Sequence, residues 1–462
     1  MMPAIDQVLS VAQMRAAENA LIAGGATVDG LMQVAGQGAA EWVWRVAAHH
    51  PVTVLCGPGN NGGDGYVIAE VIRQRGGAVS VIAATEPKTP AARTARALYG
   101  GKVHGPDADV QGDVLVDCLF GSGLVRPLGG ADLALLLRLA ACHARRIAID
   151  LPSGIESDSG AALNFGLPGY MLTVALGAWK PAHFLMPGAA RMGGSKLVSI
   201  GCRRMEGGSG IIARPHLRAP AADAHKYTRG LVAVVGGTMP GAGGLACISA
   251  QGSGAGYVRL LADGVAPALD IVVDNRDPAD ALSDRRIGAV LIGPGLGRTE
   301  AARNRLEAAL ESGHPLVLDA DALILLRPGD ISAPAIATPH EGELAVMERA
   351  FGLAGLGSKL DRAQALAAAS GMVILAKGPD SVIAAPDGQA WFAHRATSWL
   401  SVAGTGDVLA GIVAARLASG LAPADAACQA VWLHGEAARR AGPAFSAAAL
   451  AGQVRNAYAA CL

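Results

Sequence analysis

Apolar residues along this chain recur at two periods, and the alternation between them predicts most of its elements. Two stretches with helical spacing come first, around Gln13 to Ala23 and Leu31 to Ala48, the second carrying Trp42, Val43 and Val46 on one side. Apolar runs of strand length follow at Val52 to Leu55, Ala78 to Ala83, Asp113 to Asp117 and Ile147 to Asp150, then at Met171 to Leu176 and Leu197 to Ile200. Helical stretches lie between them, from Tyr66 to about Arg75 with Val67, Ile68, Val71 and Ile72 on one face, and from Leu133 to Leu139. Strand, glycine turn, helix and strand in succession make a βαβ unit of the doubly wound, Rossmann-like kind.

Periodicity vanishes between Gly201 and Thr228, in a stretch rich in glycine, proline and arginine, which predicts a junction and domains spanning 1–210 and 211–462. Beyond it, strands are expected at Gly230 to Val235, Ile287 to Ile292, Pro315 to Leu318, Ala335 to Ala337 and Met372 to Leu375, most of them leaving into a small-residue or charged loop. Strands alternating with helices imply a second parallel-rich sheet, so the fold class is α/β with two domains. Near the end, Trp399-Leu400-Ser401-Val402 reads as extended. Val408, Leu409, Ile412, Val413 and Leu417 then recur at helical spacing in an alanine-rich stretch.

Length agrees with two domains, since 462 residues exceed one ordinary core and 51% hydrophobic residues can fill two. Charged residues are only 16% with zero formal net charge, which argues against a nucleic-acid footprint or a membrane-surface patch. The 62 glycines fall mostly at the ends of apolar runs, as tight strand-to-helix turns require. Seven cysteines without a C-x-x-C pair point to reduced thiols and a cytoplasmic setting. The opening residues lack a basic segment leading into an apolar one, so no secretory signal is expected, and no run is apolar enough to span a bilayer.

Candidate chemistry gathers at strand ends. Gly57, Gly59 and Gly62 spell G-x-G-x-x-G, a weak match to the dinucleotide fingerprint because Asn60, Asn61 and Asp64 lie inside the turn. Three such side chains suggest recognition of an amide, a hydroxyl or an ion; the alternative is a glycine turn whose asparagines tolerate left-handed backbone. Asp117 and Asp150 each end an apolar strand and precede a small-residue loop, so both should converge with Asn60 and Asn61 in the crevice beyond the strands' carboxyl ends. Asn61, Asp117 and Ser153 offer hard oxygens with one negative charge, a set better suited to K+ than to zinc. Asp150 would remain free for acid–base work.

In the second half, Gly404-Thr405-Gly406-Asp407 opens a helix whose first N–H groups point outward beside the positive end of its dipole, which makes an anion site. Two readings of Asp407 stay open: a helix-start carboxylate favoured by the dipole, or a base that deprotonates a hydroxyl while the glycine nest holds a transferring phosphoryl group. No G-x-x-x-x-G-K-[ST] occurs, which excludes a P-loop site.

The run Asn60-Asn61-Gly62-Gly63-Asp64-Gly65, Asp117 before Gly121-Ser122-Gly123-Leu124, and Asp150 in Asp-Leu-Pro-Ser-Gly-Ile together resemble the NAD(P)H-hydrate epimerase domain, or YjeF N-terminal domain, over about residues 10 to 205. That resemblance implies an isomerase whose substrate, a hydrated NADH or NADPH, is held by Asn60, Asn61, Gly62, Gly63 and Asp64, by Gly121, Ser122, Gly123, Leu124, Val125, Arg126 and Pro127, and by Asp150 as the catalytic residue. K+ would sit on Asn61, Asp117 and Ser153.

Over about residues 215 to 462, Gly293-Pro294-Gly295-Leu296-Gly297, Thr338-Pro339-His340-Glu341-Gly342-Glu343, Lys377-Gly378 and Gly404-Thr405-Gly406-Asp407 look like the ribokinase-like ADP/ATP-dependent NAD(P)H-hydrate dehydratase domain. This second resemblance implies a lyase in which Lys377, Gly378, Pro379, Asp380, Ser381 and Gly406 hold ADP or ATP with Mg2+. Ala242, Gly295, His340 and the catalytic Asp407 would face the hydrate. Where that family usually shows Gly-Ala-Ala before an apolar helix, this chain reads Gly241-Ala242-Gly243-Gly244-Leu245, and the extra glycines are expected to weaken that helix. A homo-oligomer is expected, with no nucleic-acid or membrane partner. The rival reading is a vitamin or sugar kinase on the same scaffold, fused to a non-catalytic binding module.

Overall fold

Seven strands of the first half pair into one parallel sheet: the six expected, and a two-residue edge strand at Val103–His104 that the sequence does not mark. The computed structural model describes residues 5–110 and 112–462, and the chain divides into two units, Met1–Gly210 and Ile211–Leu462. The first unit runs α1 (Val11–Ala23), α2 (Val28–Ala47), β1 (Val52–Cys56), α3 (Asn60–Gln74), β2 (Val79–Ala83), α4 (Pro90–Leu98) and β3 (Val103–His104). It continues through β4 (Val114–Cys118), α5 (Gly130–Cys142), β5 (Arg145–Ile149), β6 (Leu172–Leu176) and β7 (Gly194–Val198). Strand order is β3-β2-β1-β4-β5-β6-β7, so the chain winds outward from β1, then returns to place β4 on its other side. That reversal leaves a crevice beyond the carboxyl ends of β1 and β4.

The Asn60 to Gly65 run corrects the sequence reading. It is the first part of α3, which starts at Asn60 and not at Tyr66, so neither asparagine is left-handed. Glycine is a poor helix former, but here close packing overrides propensity. A Cβ on Gly62 would stand 1.9 Å from the Gly57 carbonyl oxygen, and one on Gly57 would stand 1.8 Å from that of Leu119. The glycines let α3 press against the ends of β1 and β4. Gly62→Ala should therefore destabilise the first unit by about 3 kcal/mol, the upper end of overpacking costs, because backbone cannot move aside as a side-chain tip can. Urea denaturation followed by Trp42 and Trp44 fluorescence checks this; a change within error of zero would refute the packing argument.

The boundary between the units falls within the two-residue β8 (Gly210–Ile211), and the second unit runs β9 (Leu231–Val235), α6 (Pro240–Gly252), β10 (Tyr257–Leu261), β11 (Val272–Asp274), α7 (Pro278–Leu282), β12 (Ile287–Ile292), α8 (Glu300–Glu311) and β13 (Leu316–Leu318). Then come α9 (Asp321–Leu325), β14 (Ala335–Ala337), α10 (Glu341–Ala350), α11 (Lys359–Ser370), β15 (Val373–Ala376), β16 (Val382–Ala384), β17 (Ala390–Phe392), α12 (Thr405–Ala418), α13 (Pro423–Ala441) and α14 (Ala447–Ala459). Its ten-stranded sheet has the order β11-β10-β9-β12-β13-β14-β15-β16-β17-β8. Strands β11 through β15 are parallel, and β16 and β17 turn antiparallel.

Helix α12 is apolar on nearly every side and is the centre of this core: Val408, Ile412 and Val413 are fully buried, each worth about 1.5–3 kcal/mol on transfer from water. It lies close on α6, where a Cβ on Gly411 would meet the Ala246 carbonyl oxygen at 2.2 Å. Helix α6 itself runs unbroken through Gly241, Gly243 and Gly244. Trp399 to Val402 departs from expectation. Ser398–Leu400 forms a 3-10 turn, held by the Thr405 hydroxyl, which donates to the carbonyls of Leu400 and Val402 at 2.9 and 3.0 Å.

Candidate active sites

In the first unit, Asp150 follows β5 with a left-handed backbone, φ +65°, a costly conformation for a residue with a Cβ. Four bonds hold it there. Its N–H donates to Val174 O at 2.7 Å, and its carbonyl accepts from His183 Nε2 at 2.9 Å. Its Oδ2 accepts from the Ser122 N–H at 2.9 Å, and its Oδ1 from Lys180 Nζ at 2.5 Å. Lys180 is buried and also donates to Leu176 O at 2.7 Å. Burial pushes the Asp150 carboxyl up, but the Lys180 charge and hydrogen bond, with the Ser122 N–H, outweigh it and hold Asp150 below the usual carboxylate range. Burial and the same lysine push His183 down to about 4, so its ring is neutral and its Nε2–H serves the Asp150 carbonyl.

Beside this pair, Asp117 is fully buried and accepts from Leu119 N, Ser153 N, Ser153 Oγ and Tyr170 OH at 3.1, 3.0, 2.7 and 2.5 Å. Burial raises its carboxyl in spite of those bonds. Asn61 differs: both atoms of its side-chain amide are buried without a hydrogen-bond partner. Gly121 separates Asn61 from Asp150, and a Cβ there would lie 3.2 Å from Asn61 Cγ and 2.9 Å from Asp150 Oδ2. A cavity of about 260 Å³ is bounded by Asn60, Asn61, Asp64, the Gly121 to Leu124 loop, Asp150 and Lys180, whereas Asp117 and Ser153 lie outside its lining. Helix α1 closes it with Arg15 and Glu18. Of the remaining expected contacts, Gly62 and Gly63 are turned into packing, Gly63 against Met32 and Ala92, while Val125, Arg126 and Pro127 are exposed beyond the cavity lining.

In the second unit, the carboxyl ends of β13, β14 and β15 bring another set together. Lys377 N donates to Pro339 O at 2.7 Å, and its Nζ to Asp319 Oδ1 at 2.5 Å, with Glu343 Oε2 at 3.9 Å. Thr338 Oγ1 donates to the same Asp319 oxygen at 2.7 Å. Burial works against the Lys377 charge, but Asp319 and Glu343 outweigh it and keep the ammonium above its ordinary range. Gly406 lies against Lys377, and a Cβ there would sit 3.5 Å from Nζ. Asp407 is pushed up to about 6 by burial and by Asp319, against the pull of Lys377.

Helix α12 is capped by Gly404 at φ +92° with no side-chain cap bond, and among the described residues no hydrogen bond reaches the Asp407 carboxylate. A half-buried, unengaged carboxylate of this kind can accept a proton.

Gly295 and Ala242 touch, since a Cβ on Gly295 would be 3.0 Å from that of Ala242. His340 caps α10, its Nδ1 accepting from the Gly342 and Glu343 N–H groups at 3.0 and 3.2 Å while the ring is exposed. The Lys377 to Ser381 loop is tied by Ser381 Oγ, which donates to Gly378 O at 2.8 Å, and Asp380 turns inward to an ion pair with Lys359.

Comparison with known proteins follows this division. A family model described as YjeF-related protein N-terminus matches residues 28–182, and one described as NAD(P)H-hydrate dehydratase matches 232–457. A bifunctional NAD(P)H-hydrate repair enzyme from Gloeobacter violaceus is 34% identical, covering 93% of this chain and 92% of its own length. The chain belongs to the bifunctional NAD(P)H-hydrate repair enzymes. Another member, from Mycobacterium tuberculosis, is 32% identical over 90% of each chain. Among solved structures, an ADP/ATP-dependent NAD(P)H-hydrate dehydratase from Bacillus subtilis, co-crystallized with ATP/Mg2+, is similar at 29% identity and TM-score 0.47, covering 54% of this chain and 95% of that one.

Three groups of this repair enzyme's sites are absent from the sequence reading. Asp319 ends a strand in Asp319-Ala320-Asp321, the same grammar that marks Asp117 and Asp150, so its signal was present. Lys180 carries a subtler one, a lone lysine in the apolar stretch Leu172 to Leu185. Glu18 has none, because one acidic residue on a polar helix face looks like any solvated one.

Proposed function

We infer that this repair enzyme restores hydrated NADH and NADPH: residues 1–210 interconvert the R and S hydrates, and residues 211–462 dehydrate the S form with ADP or ATP. The observation that carries the reading is Asp407, a half-buried carboxylate pushed up to about 6, beside Lys377 at a glycine-opened helix start. In the hydrate, water has added next to the ring nitrogen, leaving a hemiaminal hydroxyl. Asp407 takes that hydroxyl's proton as the nucleotide's terminal phosphoryl group reaches the oxygen, and Lys377 and the α12 N–H groups balance the phosphoryl charge. The C–O bond then breaks, phosphate leaves, and loss of the neighbouring ring proton returns the double bond. Lys377 to Ser381 and Gly406 are read as the nucleotide contacts, and Ala242, Gly295 and His340 as the hydrate's.

Among the described residues no cluster of three or more His, Cys, Asp or Glu side chains could form a metal cage. Mg2+ is read as entering with the nucleotide, held by its phosphates and one or two carboxylates, where it would supply charge neutralisation. In the first unit the buried, unpartnered Asn61 amide oxygen is free to meet a weakly charged cation, and K+ is read as held by Asn61, Asp117 and Ser153, where it would fix the loop against the substrate. Asp150 is the acid–base group of that site. A reducing, cytoplasmic setting is read from seven cysteines without a C-x-x-C pair.

The test is incubation with mixed R and S hydrates. Reduced-cofactor absorbance should return only when ADP or ATP is present, and should exceed what the S fraction alone can supply. A stable phosphorylated product instead would favour the kinase reading.

A further inference from the structure

Inverting a hemiaminal carbon by losing and regaining water needs one proton delivered on one face and one removed on the other. Asp150 and Lys180 line the first unit's cavity, and Glu18 lines it from a different element, α1, upstream of the matched residues 28–182. Among the described residues no hydrogen bond engages the Glu18 carboxyl, which feels Lys180, Asp150 and Arg15 only through space. We propose that Glu18 is the second catalytic acid–base group of the epimerase site, serving the face of the ring opposite Asp150. The proposal rests on reading the first unit as the epimerase with Asp150 at its centre.

The two carboxyls are suited to opposite tasks. Asp150 is held ionised by Lys180, whereas burial raises Glu18, opposed by Lys180 and Arg15 and reinforced by Asp150. Two carboxyls driven apart in this way divide into a base and an acid. Asp64, the third carboxyl of the cavity, is pushed well above its usual range by burial, Asp150 and Glu18, and is only 7% exposed, so it exchanges protons with solvent less readily than Glu18.

In one direction Glu18 gives its proton to the hydroxyl, the C–O bond breaks, water leaves, and the nitrogen lone pair forms C=N+. A second water adds to the opposite face of that carbon and gives its proton to Asp150. One C–O bond breaks and one forms. The proton moved from Glu18 to Asp150 returns through solvent before the next turnover, and the reverse reaction runs the same steps backward.

The experiment uses the full chain without nucleotide, separated R and S hydrates, and H2(18)O. Wild type should invert each epimer with uptake of solvent oxygen. Glu18→Gln should lower kcat for inversion about 100-fold, a typical loss for one acid–base group, with KM within threefold, and Glu18→Asp should recover part of it. The epimer whose hydroxyl faces Asp150 should still exchange oxygen in Glu18→Gln, because the Lys180 and Asp150 pair can deliver and retrieve a proton on its own face. That retained, one-sided exchange also shows that the variant site is folded. Inversion within threefold of wild type, inversion without oxygen uptake, or loss of exchange from both epimers would each overturn the role of Glu18. A wild-type protein unable to interconvert the hydrates would instead refute the underlying reading.

Discussion

Asp407→Asn should lower the nucleotide-dependent return of reduced cofactor by about 10³-fold in kcat, within the range for loss of a general base, and leave R/S interconversion unchanged. The asparagine keeps the shape of the α12 start and removes only the proton acceptor. Wild-type activity should follow the ionisation of that acceptor: the group is pushed up to about 6, so kcat/KM rises tenfold per pH unit below that value and levels off above it. Stability carries the opposite sign. With the folded pKa above the unfolded one, the folded chain binds the extra proton between about pH 4 and 6, so wild type loses stability as pH rises through that window. Asp407→Asn should therefore melt higher than wild type at pH 7 and match it at pH 4. A variant equally depressed in both activities, or one that melts lower at pH 7, would make Asp407 a structural residue of the second unit.

The contrast between Asp407 and Asp150 shows how much of each site the sequence makes legible. Both stand out by position, one at a glycine helix start and one at a strand end, and beyond the strands' carboxyl ends Asp150 and Asn61 line one cavity, while Asp117 lies outside its lining. Their electrostatic character does not stand out, because it depends on partners far away in the chain. Lys180 lies 30 residues from Asp150, and Asp319 lies 58 from Lys377. The Asn60 to Gly65 run was recognisable as a motif but not as helix, since the reason for its glycines is the tight approach of Gly57 and Leu119 backbone. Trp399 to Val402 misled in the other direction. Its apolar residues suit a strand, yet the Thr405 hydroxyl captures two of its carbonyls and winds it into a turn.

Lys180→Met should abolish epimerisation and cost the first unit about 3–5 kcal/mol at pH 7, the usual penalty for stripping a buried ion of its partner. For a unit of this size that is a fall in Tm of about 10 °C. The physical step is the fate of Asp150. Its wild-type pKa is depressed, so the pair contributes stability above the unfolded carboxylate pKa and loses it as pH falls through the lower folded value. Without the ammonium, burial is the largest remaining influence and drives the carboxyl upward. The variant should then be relatively more stable at pH 4 than at pH 7, an inversion of the wild-type slope. Adding Asp150→Asn removes the unpaired charge and should recover most of the lost stability while restoring no activity. If Lys180→Met keeps the wild-type pH slope, or if the double variant is no more stable than the single, the charge on Asp150 is held by something other than Lys180. Epimerisation in the single variant within threefold of wild type would separate the ion pair from the chemistry altogether.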